Sequence, residues 1–467
     1  MKARLLAKLR SLVANQFLRD TSTLQIGAML VAGGNFASAV GLAFLLGARR
    51  QGEFYVAISL YSSLWFLVNL GLVQVTVSKV SAALGNEDRD EACSWLAYLF
   101  KAYALLGAAV GGVAYFVLPW AAESLLDARR EVGLWAVALA FTPLLDLPRV
   151  VCNAGLQATR RMLPLTQSDN AFELVRVFLV LMGALLTGDL SGPVIGSLTA
   201  SAFGSLLATA LYVRECKRIP ELVPSPGEIL SHVRGVPVGK GLAIGVRLGA
   251  AQNLNAYGMQ ILPALLLQRF GSPEWVAYLR IAQRIMNVPL MLMQAISRTA
   301  LPALSKLAGI RDMRQMCRAY FRTSLFSGLT IGGGILAFLP TLPWMLGIAF
   351  PESYHDPIFT LCLILVPGYL VIAFASANDT FYLVTGTLRV AILVSLLGAA
   401  INMPAMAYLA WRWPTVGVAW ALSLSMLWSL WHPLYVWTWY RRYVVAPERE
   451  EAARLAAEDA RAATTGS

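Results

Sequence analysis

Charge is what this sequence has least of. Only 14% of its 467 residues are Asp, Glu, Lys or Arg, while 57% are hydrophobic, and the mean hydropathy is +0.61. Soluble globular domains carry about 25% charged residues, so an ordinary soluble fold is excluded. Carboxylates are scarcer still. None occurs from Thr21 to Gly52, from Val238 to Gln268, or from Trp275 to Ala300. The five cysteines (Cys93, Cys152, Cys216, Cys317, Cys362) are scattered without a CxxC, which excludes a disulfide framework and a thiolate metal site. His232, His355 and His432 are isolated, and neither a glycine-rich phosphate loop nor a nucleophile constellation is present. No cofactor is expected, and an enzymatic reading has no site to stand on.

What is present is a series of about twelve apolar runs, each long enough to cross a bilayer. They lie near 22–47, 53–79, 93–119, 131–156, 163–187, 190–213, 238–268, 273–300, 318–348, 357–386, 388–411 and 414–440. The net charge of +12 could suggest nucleic acid, but its distribution argues against that partner. Of the 38 Lys and Arg, about 24 fall in tails and alternate connections on one side and about 6 on the other. The positive-inside rule then places both termini in the cytoplasm. Residues 1–21 read as a basic amphipathic interfacial helix, and residues 441–467 as a charged, alanine-rich cytoplasmic tail.

The connection at 214–237, with Pro220, Pro224 and Pro226, divides the chain into a first lobe at 22–213 and a second at 238–440. After it the pattern restarts. Gly52 and its span recur as Gly271 and its span, and Gly155-Leu156-Gln157-Ala158-Thr159-Arg160-Arg161 has a counterpart at Tyr382-Leu383-Val384-Thr385-Gly386-Thr387-Leu388-Arg389. Asn35, read as interhelical glue, falls opposite Asn253 to Asn255. The expected fold is therefore an all-α polytopic membrane protein, two pseudo-symmetric six-helix lobes with a cavity between them.

The stretch 275–302 organises the rest. It carries Arg280, Arg284 and Arg298 without a carboxylate. Arg280 and Arg284, four apart, share a helix face and repel unless an anion or water stands before them. Counting rise per residue, Arg284 and Arg247 of the preceding span both reach the midplane. Facing lipid, each arginine would cost about 2.5–3.5 kcal/mol. An inward cationic site lined by Arg247, Arg280 and Arg284 is expected, with Gln252, Asn255 and Gln283 as polar residues on the same two spans. Asp146 and Arg149, and Glu173 and Arg176, are three apart and can pair on their own helices. Pro148 is expected to kink the fourth span, and Lys101 to reach towards the interface. Asp146, Glu173 and Asp379 are candidates for binding H+ or Na+, or for serving as counter-ions, with Asp379 the main alternative partner for Arg284.

In the order and spacing of Gly52 to Tyr55 with Leu70-Gly71-Leu72, Gly155 to Arg161, Tyr278 to Arg284 continuing to Ser305, and Val416 to Ala419, the chain resembles the polysaccharide transporters of the multidrug/oligosaccharidyl-lipid/polysaccharide (MOP) exporter superfamily. The resemblance covers residues 20–440. It implies a flippase for an undecaprenyl-pyrophosphate-linked glycan, such as an O-antigen or exopolysaccharide repeat unit, working beside a polymerase and chain-length machinery. Glu53 departs from it, standing where a neutral residue is common. Two alternatives stay open. One is a cation-coupled multidrug antiporter of the same fold, whose acids are missing from the first, seventh and eighth spans here. The other is a membrane glycosyltransferase or ligase, for which the longest outer connection, Ala121 to Glu131, is short.

Overall fold

In a computed structural model, residues 16–65, 71–239, 241–242, 245–246, 253–254, 257–309 and 312–446 are described. Among them every regular element is helical. In chain order they are α1 (Gln16–Trp65), α2 (Leu72–Gly85), α3 (Arg89–Trp120), α4 (Arg130–Ala140), α5 (Thr142–Ala158), α6 (Met162–Thr187), α7 (Ser191–Arg218), α8 (Pro226–His232), α9 (Leu262–Phe270) and α10 (Pro273–Gly309). There follow α11 (Met313–Ser327), α12 (Gly333–Phe338), α13 (Leu342–Ala349), α14 (His355–Ile372), α15 (Asn378–Val384), α16 (Leu388–Arg412), α17 (Gly417–Leu427) and α18 (Trp431–Tyr440). Eight helical segments among the described residues are long and apolar enough to span a membrane. The protein is an all-α, multi-pass membrane protein. The first two expected spans share α1, broken at Gly47 (φ 70°), and the second resumes at Gly71 as α2.

Local chemistry sets the ends. Asp88 accepts from the Glu91 amide to start α3, and Asp312 accepts from Gln315 to start α11. The fourth span divides at Phe141, just ahead of Pro143, and α5 carries Pro148 in its interior. Pro143 sits in the first turn of α5, where its missing N–H costs nothing, so the chain restarts a helix there.

The chain forms two compact units. One comprises Met1–Ile285, Trp344–Leu361 and Met403–Val418. Its core joins α2, α3, α5 and α7 through buried Leu72, Tyr98, Leu99, Leu156 and Tyr212. The Tyr212 hydroxyl donates to the Pro224 carbonyl at 2.8 Å, fixing the linker onto the helices. Lys101 ties itself to the linker by donating to the Val236 carbonyl at 2.9 Å. The second unit comprises Met286–Pro343, Cys362–Asn402 and Ala419–Ser467. Tyr320, Phe381 and Val436 form its core, Tyr320 donating to Asn378 at 2.7 Å and Tyr382 bonding His432 at 2.8 Å.

The internal repeat is visible in backbone geometry. After α5, Thr159 Oγ1 bonds back to the Gly155 carbonyl, Arg160 takes φ 56°, and Arg161 N–H reaches the Leu156 carbonyl at 2.8 Å. After α15, Thr385 Oγ1 bonds back to Phe381, Gly386 takes φ 71°, and Thr387 N–H reaches the Tyr382 carbonyl at 3.0 Å. Both are the same left-handed helix ending, with glycine in the strain-free version.

Candidate functional site

The approach of α10 to α1 is set by Gly52. A β-carbon there would stand 1.7 Å from the Pro273 carbonyl oxygen, so only glycine lets the two backbones touch. Its repeat counterpart Gly271 meets the Pro414 carbonyl in the same way, at 2.6 Å. An aromatic cluster surrounds the Gly52 contact. Tyr278 and Tyr354 meet edge to face at 5.2 Å, Phe350 stacks on Tyr354, Phe36 abuts Phe350, and the Tyr354 hydroxyl donates to Gln51 at 3.0 Å.

From this contact α10 carries its arginines along α1. Arg280 Nη2 donates to Ser59 Oγ at 2.9 Å, and Ser59 is itself fully buried. One turn on, Arg284 Nη1 donates to the Asn35 carbonyl at 2.5 Å, with its guanidinium carbon 5.4 Å from the centre of the Tyr55 ring. Every one of these partners is neutral. Among the described residues of this unit, no carboxylate lies within ion-pair distance of either arginine, so no neighbouring acid balances them. Gln283 leaves that face: it is buried and donates to the Met259 carbonyl at 3.1 Å. Arg247, Gln252 and Asn255 lie outside the described residues.

The other membrane arginines of the unit are arranged differently. Arg149 grips Asp146 with two donors, at 3.0 and 3.2 Å, while its plane lies 3.9 Å from the Phe172 ring centre. Arg176 pairs with buried Glu173 through both carboxylate oxygens and donates on to Asn35 Oδ1 at 2.8 Å. Asn35 is thus bound by side chain to Arg176 and by backbone to Arg284, as well as donating to Val31. Glu53 is almost entirely buried and is held by Arg129, which donates Nε–H at 3.2 Å, so the acid at this position is neutralised from the connection after α3. In the other unit, Asp379 opens α15 with its side chain exposed.

Three participants escaped the sequence reading. Ser59 and Tyr55 lie more than 200 residues from the arginines they meet, and a lone serine in an apolar helix carries no distinguishing signal. Asp169 was visible only as one member of a polar run, Gln167-Ser168-Asp169-Asn170. Among the described residues no group of three His, Cys, Asp or Glu side chains could hold a metal ion.

A family described as polysaccharide biosynthesis protein matches residues 17–308, more than half of the chain. Among solved structures, the chain is similar to the lipid II flippase MurJ in an inward closed conformation, at 14% identity and a TM-score of 0.65 over 88% of this chain and 86% of that one. It is similar to an inward-facing multidrug resistance MATE family transporter of the MOP superfamily, at 14% identity and a TM-score of 0.63 over 90% and 97%. A MOP superfamily transporter from Pyrococcus furiosus matches at 15% identity and a TM-score of 0.56 over 92% and 95%. At these identities the likeness is one of fold. No curated protein matches.

Proposed function

We propose, since the chain belongs to the polysaccharide biosynthesis protein family, that it is a flippase: it carries an undecaprenyl-pyrophosphate-linked oligosaccharide across the bacterial inner membrane, lipid tail in the bilayer and anionic head through a cationic cavity. One observation carries this reading. Arg280 and Arg284 present two charges from one helix face, held only by a hydroxyl, a backbone carbonyl and an aromatic ring. Neutral acceptors of this kind are weaker than an ionised oxygen, so a diphosphate displaces them. Guanidinium suits the task because its planar fork matches phosphate oxygens two at a time.

In this reading Arg247 joins the two arginines on the diphosphate, while Gln252, Asn255 and Gln283 face sugars. For Gln283 that requires release from Met259. The lobes at 22–213 and 238–440 alternate in access, and both termini are cytoplasmic because the basic residues concentrate on their side. The same fold serves a multidrug resistance transporter in the MATE relative, and a cation-coupled multidrug antiporter is the competing reading. Two unneutralised arginines would repel the cationic compounds such an antiporter commonly moves. A drug-resistance assay in a sensitive host separates the two readings.

The decisive experiment substitutes Arg284→Ala. Export of the lipid-linked glycan is expected to stop while the amount of folded protein stays normal. Wild-type export in that variant removes Arg284 from the site and the main support of the reading with it.

A further inference from the structure

Asp146, Arg149 and Asn153 lie along one face of α5, and Asp169, Glu173 and Arg176 along one face of α6. Together they hold three carboxylates and two guanidinium groups, and the geometry shows which carboxylate is the surplus one. Arg149 spends its fork on Asp146 and its plane on Phe172. Arg176 spends its fork on Glu173 and Asn35. Asp169 has only a 3.8 Å approach to Arg149, too long for a hydrogen bond, and one true donor, Asn153 Nδ2 at 2.8 Å.

A second observation concerns that donor. Asn153 Oδ1 is buried and has no hydrogen-bond partner. The two ends of an amide exchange places by a half turn, which puts the nitrogen where the unpaired oxygen stood and the oxygen against Asp169. Turned over, Asn153 offers its oxygen to Asp169, which can use it only if Asp169 carries a proton. The pair therefore fits a protonated carboxyl as well as an ionised one. Of the Asp169 side-chain surface, 49% is not covered by protein.

We propose that Asp169 is a proton-binding group of this protein, taking a proton from water onto its carboxylate and donating it to the Asn153 amide oxygen. Asp146 and Glu173, the acids singled out by spacing, are each taken up by an arginine on their own helix. The charged and titratable groups around Asp169 are Asp146 and Arg149 on α5 and Glu173 and Arg176 on its own helix. Beyond them, Tyr61 of α1 and Tyr103 of α3 lie within electrostatic reach of Asp146. α7 brings no titratable group between Ser191 and Leu211. Loading Asp169 with a proton removes the surplus negative charge, so the polar patch has a neutral and an anionic state. That this drives movement of a lipid diphosphate rests on the transport reading; that Asp169 binds a proton does not.

The test uses the full chain in lipid nanodiscs, titrated between about pH 5 and about pH 9 and read by infrared difference spectroscopy. A protonated-carboxyl carbonyl band is expected in wild type, absent in Asp169→Asn, and unchanged in Asp146→Asn and Glu173→Gln. Asn153→Leu, which leaves the carboxyl in place, shifts that band without removing it, and so reports on Asp169 even if Asp169→Asn folds poorly. A band that survives Asp169→Asn, vanishes with Asp146→Asn or Glu173→Gln, or is unmoved in Asn153→Leu overturns the proposal. In proteoliposomes, undecaprenyl pyrophosphate crossing should respond to an imposed pH gradient in wild type and lose that response in Asp169→Asn. Crossing that ignores the gradient in wild type while the band assignment holds overturns the coupling and leaves the proton site standing. Absence of any crossing together with an intact band overturns the transport reading alone.

Discussion

Arg176 and Arg284 touch the same residue, Asn35, and yet belong to different designs. Arg176 takes the asparagine's side-chain oxygen after securing Glu173 three residues away on its own helix. Arg284 takes the asparagine's backbone oxygen across from another helix, with a ring beside it and no carboxylate within ion-pair distance among the described residues of its unit. The first charge is balanced within one turn of helix, so it costs little to bury and does little else. The second is left unbalanced, which makes it expensive to keep and available to an anion. Arg149 follows Arg176, and Arg280 follows Arg284. What separates the groups is the carboxylate at three residues' distance, not depth or neighbouring hydrophobicity.

The sharpest way to break this contrast is to remove each arginine. Arg176→Ala strands Glu173, a carboxylate only 8% exposed, without its partner. Breaking a buried pair from one side costs about 3–5 kcal/mol, so the folded yield and the melting temperature should fall steeply. Replacing both members, Glu173→Leu with Arg176→Met, should cost much less than Arg176→Ala alone, because no charge is left behind. Arg284→Ala should leave both readings near wild type while stopping export. Equal destabilisation by Arg176→Ala and Arg284→Ala, measured by thermal unfolding in detergent, would erase the distinction.

A middle-sized effect is expected from converting one design into the other. Ser59→Asp gives Arg280 the carboxylate it lacks, at the position where Ser59 Oγ now accepts its hydrogen bond. An ionised acceptor roughly doubles the strength of that bond and competes with any phosphate. Binding of inorganic pyrophosphate to the purified protein should weaken by tenfold or more, about 1.4 kcal/mol, while thermal stability is held or raised. Ser59→Ala, which removes the acceptor without adding charge, should bind pyrophosphate at least as well as wild type. Unchanged binding in Ser59→Asp would mean that Arg280 does not face the anion.

How much of this was legible in the sequence follows the same division. The Asp146–Arg149 and Glu173–Arg176 pairs are readable because helix geometry fixes what lies three residues away. The repeated helix endings at Thr159 and Thr385 are readable because threonine followed by a residue with positive φ is local chemistry. The arginine-bearing helix was readable from what it lacks, carboxylates. Its partners were not: Ser59 and Asn35 are 221 and 249 residues from the arginines they receive, and no spacing rule reaches that far. Gln283 stands one residue from Arg284, about 100° round the helix, and its bond to the Met259 carbonyl is not something spacing announces. Glu53 looked like an anomaly because its neutralising Arg129 comes from a connection 76 residues on.

The smallest expected effect comes from an arginine outside the contrast altogether, and it calibrates the rest. Arg89, at the start of α3, reaches Glu228 of the linker helix at 2.8 Å and also donates to the Pro220 and Glu221 carbonyls. Its bond to Arg89, followed by the Ser225 backbone amide that Glu228 caps, pulls the Glu228 carboxyl from its ordinary 4.5 down to about 2. Glu173 is likewise paired with a guanidinium, but its carboxylate is only 8% exposed, whereas 43% of the Glu228 side chain is open to solvent. Water and salt screen such a pair, and exposed pairs contribute about 0–1 kcal/mol. Because the folded-state value lies below the ordinary one, this contribution is complete above about pH 4.5 and is lost as the pH falls through about 2. Glu228→Gln should therefore lower the melting temperature slightly near neutral pH, and the gap from wild type should close as the solution is acidified towards pH 2. A loss as large as that of Arg176→Ala would show that geometry alone, rather than burial of the partner carboxylate, decides what an arginine pair is worth in this protein.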